Sequence, residues 1–274
     1  MLEGDFCCGN VLSKCEGEKE FTLVRQESNC VRKALSLREA SLMFRKRVPF
    51  MLFVVSAMLL LVVALLPVHA ASALVQQNNV GCFSCSSTLS VSFTSNVASG
   101  DVIVVGVVIA GASFTLSSLT DSLGSSFTQA VTSTNAPPPT VYIFYATFSS
   151  SRAEIVTATF SAAAPAQSVY IYEISGVKTT GVATATGSGQ GTSISTSSPV
   201  TFQTGAFLLG IIATNSFGGT ARAGTGFTLS ADNSGRAVSH AQYSISGIAS
   251  PTNFPATTNS AVSWTEDGIA LMPS

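Results

Sequence analysis

The chain has 274 residues, 13 Lys and Arg against 14 Asp and Glu, and charge at only 10% of its positions. Nine of the basic residues precede Val48, and only Arg152, Lys178, Arg222 and Arg236 follow it, against Asp101, Asp121, Glu154, Glu173, Asp232, Glu266 and Asp267, a net of −3 from four bases and seven acids. No basic patch remains there for nucleic acid, and a weakly charged, hydroxyl-rich surface neither steers charged ligands nor repels its own copies.

Residues 1–42 show mixed charge and no sustained period, so they read as a disordered cytoplasmic extension or, if Met43 is the true start, as a gene-model artefact. Cys7, Cys8, Cys15 and Cys30 lack the paired CxxC spacing of a zinc site. Arg45, Lys46 and Arg47 then precede an uncharged run from Val48 to Leu66, which ends in Pro67-Val68-His69-Ala70-Ala71-Ser72-Ala73. A basic stretch, an apolar core and small residues at the −3 and −1 positions make a secretory signal over 43–73, cleaved after Ala70 or Ala73. The run is also long enough for one hydrophobic helix that anchors the chain in a membrane through residues 48–68, or, as a third reading, for a buried core helix. As signal or as anchor, the segment places its C-terminal side outside.

Residues 74–87 read as a linker carrying Cys82-Phe83-Ser84-Cys85, which in an exported chain closes as a disulfide. Zinc would need two more ligands where His240 is the one remaining histidine, and a thioredoxin-type CxxC opens a helix, whereas this one precedes strands.

From Thr88 the period is two. Thr88 to Phe93 alternates hydroxyl and apolar residues as a half-buried strand, while Asp101 opens VIVVGVVIAG, a β-branched run buried on both faces. Phe114–Leu119, Phe127–Val131, Thr140–Thr147, Ile155–Phe160 and Ser168–Ile174 continue the pattern, broken by turn signals at Asp121–Gly124 and by Pro137, Pro138 and Pro139. Gly187–Ser198 is rich in Gly, Ser and Thr and reads as a long flexible connection. Val200–Phe202, Ala206–Thr214, Phe227–Leu229, Ala241–Ile245, Ala261–Trp264 and Gly268–Met272 complete about a dozen short strands, spaced as in sandwiches and barrels. The fold class is therefore all-β over 88–274: an antiparallel β-sandwich of jelly-roll or Ig-like type, preceded by one hydrophobic N-terminal helix.

Several pieces recur together: Ser99-Gly100-Asp101 before a buried strand, Leu119-Thr120-Asp121-Ser122-Leu123-Gly124-Ser125-Ser126-Phe127, Ile143-Phe144-Tyr145-Ala146, Tyr172-Glu173-Ile174-Ser175-Gly176-Val177, Gly224-Thr225-Gly226-Phe227-Thr228-Leu229 and a closing strand at Trp264. In this combination the chain resembles a loosely defined class of exported β-sandwich domains of bacterial and archaeal surface proteins. The resemblance implies an Ig-like or jelly-roll sandwich on or outside the cell. It carries no single function.

Chemistry-bearing residues are few. No GxSxG elbow occurs, since Gly187-Ser188-Gly189-Gln190-Gly191 has glycine at the nucleophile position, and His240 reads as pointing outward from a strand end. Glu173 lies in an apolar strand on the face of Val169 and Ile171, where an acid is costly unless paired or lining a cleft. With Asp121, Glu266 or Asp267 it could supply the carboxylate pair of a glycoside hydrolase, although backbone or arginine pairing is the plainer expectation. Tyr142, Tyr145, Tyr170, Tyr172, Tyr243 and Trp264 are either core aromatics or a sugar-stacking platform, and Tyr142 would share a face with Tyr170 and Tyr172 if their strands pair. Asp121-Ser122 and Glu266-Asp267 each supply too few oxygens for calcium by themselves. The sequence thus points to a non-catalytic surface domain, adhesive or self-associating, with no cofactor or metal. A carbohydrate-binding module with Tyr142, Tyr170, Tyr172, Glu173 and Trp264 in its site is the alternative, and a glycosidase a more distant one.

Overall fold

The computed structural model describes residues 71–274 apart from 112, 135–138, 216–219, 233–238 and 246, together with residues 56 and 58. The readings of 1–42 and of the signal or anchor helix fall outside the described residues, save that Ser56 and Met58 are helical. The described part from Ala71 onward is all-β with antiparallel pairing throughout.

Three sheets form. The first has the order β1 (Ala73–Phe83), β8 (Ala166–Ser175), β3 (Val102–Ala110), β6 (Thr140–Thr147), β5 (Thr128–Thr134). The second runs β11 (Ala221–Ala223), β14 (Pro255–Pro273), β10 (Phe207–Thr214), β13 (Ser239–Ser244), β12 (Thr228–Asp232), with β9 (Val177–Ser195) also on β14. The third is β2 (Thr88–Ser92), β7 (Ile155–Phe160), β4 (Leu116–Asp121).

The first sheet is the middle layer. One of its faces, with Val104, Val108, Tyr170 and Ile174, shares a core with Phe207, Leu209, Ile211 and Ile269 of the second sheet. Its other face, with Ile103, Val105, Val107 and Ile171, shares a core with Val91, Val156, Ala158 and Phe160 of the third. This explains the unbroken apolar run of β3, because a strand covered on both faces has no polar side to alternate with. Gly106 interrupts the run because a Cβ there would lie 2.7 Å from Ile211 Cδ1 across the layer.

Two expectations change. Residues 74–87 are not simply a linker, because Ala73–Phe83 is the edge strand β1, in register with β8 from Ala73↔Ser175 to Phe83↔Ala166. Its Gln and Asn content resembles a loop, but the amides are used: Asn78 Nδ2 donates to Ser92 O at 2.8 Å and Gln76 Nε2 to Ser95 O at 3.2 Å. Most of Gly187–Ser198, expected as a flexible connection, belongs to β9. Two of its glycines answer to close approach. A Cβ on Gly187 would lie 2.3 Å from Ser195 O, and one on Gly189 would lie 2.9 Å from the Trp264 ring.

The sheet edges carry irregularities. Register shifts fall at Val75 in β1, Ala130 in β5, Ser117 in β4 and Ser230 in β12, and again in β9 between Lys178 and Ala183. A bulge twists an edge and breaks its row of free donors and acceptors, which blunts pairing with another chain.

Candidate functional site

Tyr145, Tyr170, Tyr172 and Tyr243 pack in one core, whereas Tyr142 and Trp264 belong to two others. In the registers of β3 with β6 and β8, Val107 lies opposite both Tyr142 and Val169, whereas Gly106 lies opposite Tyr170. Tyr142 therefore faces the third sheet, stacked on Phe144 at 6.3 Å, while Tyr170 and Tyr172 face the second. Tyr170 is 0%, Tyr172 2% and Trp264 7% exposed, so none of these three presents a ring to a sugar. Their work is internal. Tyr170 Oη meets Ser239 Oγ at 2.7 Å, Ser239 Oγ donates to Ser168 Oγ at 2.7 Å, and Tyr172 Oη meets Ser230 Oγ at 2.6 Å, which ties the first sheet to the second. Period-2 reading put both tyrosines on one face correctly, but the partner of that face depends on which layer covers it.

Glu173 is buried on the side of Val169 and Ile171, as alternation required. Its oxygens are taken: Oε1 accepts from Ala98 N at 2.7 Å, and Oε2 from Gln76 Nε2 at 2.6 Å. Gln76 in turn accepts from Ser95 N at 3.1 Å. The carboxylate thus pins the loop before β3 onto β1 and β8. Its acidic neighbour is Asp101, whose carboxyl is pushed above the usual range by burial first and by Glu173 second. Replacing Glu173 with alanine should cost about 1–3 kcal/mol, because the part-buried bonds from Ala98 N and Gln76 Nε2 are both lost. Thermal melting checks this, and a loss below about 0.5 kcal/mol would remove the clamp from the account.

The remaining acids sit apart from Glu173. Glu266 accepts from Gln242 Nε2 at 2.9 Å on the face of the second sheet turned away from the first, and burial raises its carboxyl well above the ordinary value. Asp267, next in sequence, faces the first sheet, where Ser133 Oγ donates to its Oδ1, and burial pushes it to about 7. Asp121 lies beside Glu154, a residue the motif reading did not single out. Glu154 is pushed to about 7 by burial and by the Asp121 charge. An acid directly before the alternating strand Ile155–Phe160 was the one signal for it. His240, expected to point outward from a strand end, does lie near the start of β13 but is buried there, opposite Ile212 of β10.

Cys82 and Cys85 form a disulfide at the end of β1, with Ser84 at φ 55° between them and its N–H bonded to Pro165 O at 2.8 Å. Among the described residues no three His, Cys, Asp or Glu side chains gather into a metal-binding group. Two clefts adjoin at Phe202. One, of about 340 Å³, has Ala71, Ser72, Gly205, Leu208 and Ile248 in its lining; the other, of about 420 Å³, has Lys178, Gly181, Gln203 and Met272. None of the carboxylates lines either cleft.

No protein-family description, no curated protein and no solved structure matches this chain.

Proposed function

We propose that this chain is an exported surface protein whose β-sandwich domain, built of layered sheets, has a structural role in adhesion or in a surface assembly rather than in catalysis. The observation that carries the reading is the employment of its reactive side chains. Glu173 pins a loop, Tyr170 and Tyr172 tie two sheets, and among the described residues no carboxylate lines either of the two clefts at Phe202. The disulfide of Cys82 and Cys85 suits an oxidising compartment. The signal-like segment of 43–73 supplies the route out. Of its two cleavage points, the one after Ala70 keeps Ser72, whose Oγ donates to Gly205 O at 2.6 Å, and Ala73, the first rung of β1.

With most sheet edges bulged, association between copies is assigned to faces rather than to strand addition. Sedimentation of the purified full chain over a wide concentration range, beside its intact mass from membrane and medium fractions, tests the reading. Reversible oligomers and a chain beginning at Ala71 or retaining Met43 are the expected results. A strict monomer at every concentration, found only in the cytoplasm at full length, overturns it. Glycan binding has less support, because Tyr170, Tyr172 and Trp264 are buried.

A further inference from the structure

The turn after β4 brings two carboxylates together. Asp121 Oδ1 accepts from Ser125 N at 2.7 Å, which leaves Oδ2 buried without a hydrogen-bond partner. Glu154 is 1% exposed; its Oε2 accepts from Ser122 Oγ at 3.3 Å, and its Oε1 is likewise buried without a partner. The two side chains lie side by side, and burial together with the neighbouring Asp121 raises the Glu154 carboxyl to about 7. A proton or a metal ion between the two unpartnered oxygens would relieve their repulsion.

We infer that Asp121 and Glu154, with the Ser122 hydroxyl beside them, form a calcium site. All the donors are hard oxygens on a turn and on the start of a strand, with no sulfur or imidazole, which fits calcium and not zinc. Two carboxylates and a hydroxyl leave positions for water, as in the weaker sites of extracellular modules, with dissociation constants of about 0.1–1 mM. The site is distinct from the clefts and from Glu173. It pins the turn at Asp121–Gly124 to the entrance of β7, so the ion stabilises the third sheet. The sequence concealed it, because Asp121 and Glu154 stand 33 residues apart.

The test is the melting temperature of the full chain in detergent at pH 7.5, in EGTA and in about 5 mM calcium, for wild type, Asp121→Asn and Glu154→Gln. Both substitutions keep an acceptor in place and remove one charge. Calcium should raise the wild-type midpoint by about 4 °C and should weaken at least 10-fold in binding to either variant by calorimetry. In EGTA, Glu154→Gln should melt above wild type, because the repulsion is gone and no ion is there to lose. No calcium shift in wild type overturns the proposal and leaves a shared proton between the carboxylates. An equal shift in wild type and both variants overturns it too, because the ion then binds elsewhere. If Glu154→Gln does not fold, Asp121→Asn alone decides by the same two measurements.

Discussion

On acidification from pH 8 to pH 5 the domain is expected to gain stability, and Asp267→Asn is expected to remove a large share of that gain. Asp267 is buried in the interface between the first and second sheets, with Ser133 Oγ on one oxygen and no partner on Oδ2. Desolvation raises its folded pKa from the ordinary 3.8 to about 7, so the folded chain holds the proton more tightly than the unfolded chain. A raised folded pKa gives stability that is fully present below the unfolded value and is lost as pH climbs through the folded one. The window therefore lies between about pH 4 and pH 7, and the change from pH 8 to pH 5 amounts to about 2 kcal/mol for this residue. Glu154 and Glu266 are raised as well and act in the same direction. At pH 8 Asp267→Asn should melt above wild type, and at pH 5 the two should converge. Denaturant melts across this range check it. A wild type that loses stability on acidification, or a variant with an unchanged slope, would show that Asp267 is ionised in the folded state.

The second large effect is at Gly268. Gly210 and Gly268 are directly opposite in the pairing of β10 with β14, and the Phe254 ring lies over the bare backbone they leave. A Cβ on Gly268 would lie 2.3 Å from Phe254 Cε2, and one on Gly210 would lie 3.2 Å from Phe254 Cδ1. Phe254 is fully buried there, 5.5 Å from Phe227, and packs in the same core as Leu208 and Ala270. Gly268→Ala should therefore destabilise by about 2–3 kcal/mol through overpacking, and Phe254→Ala by about 3–5 kcal/mol through the cavity. The double variant is the sharper measurement. Once the ring is gone the new methyl has room, so the pair should be no less stable than Phe254→Ala alone, a coupling well outside additivity. Additive losses would mean that Gly268 serves something other than the ring.

Much of this architecture was legible in the letters. The unbroken run Val102–Ala110 announced a strand covered on both faces, and alternation in Val169–Ile174 put Glu173 on the Ile171 side. Other features were not. Gly187–Ser198 looked like a connection because small residues carry no periodic signal, although the backbone at Ser195 and the Trp264 ring require smallness at Gly187 and Gly189. The Asp121–Glu154 pair was invisible for the opposite reason, since two ordinary acids become a site only when β4 and β7 pair.

By itself the sequence determined that the chain after the signal-like segment would be β-structured, weakly charged and poor in catalytic groups, because side-chain alternation and composition are local properties. Only the tertiary structure decided that the first sheet lies between two others. It also decided that Tyr142 turns away from Tyr170 and Tyr172, and that each buried carboxylate meets its own partner. Those outcomes depend on strand order and register, and these are set by contacts between residues far apart in the chain, whose energies no local pattern records.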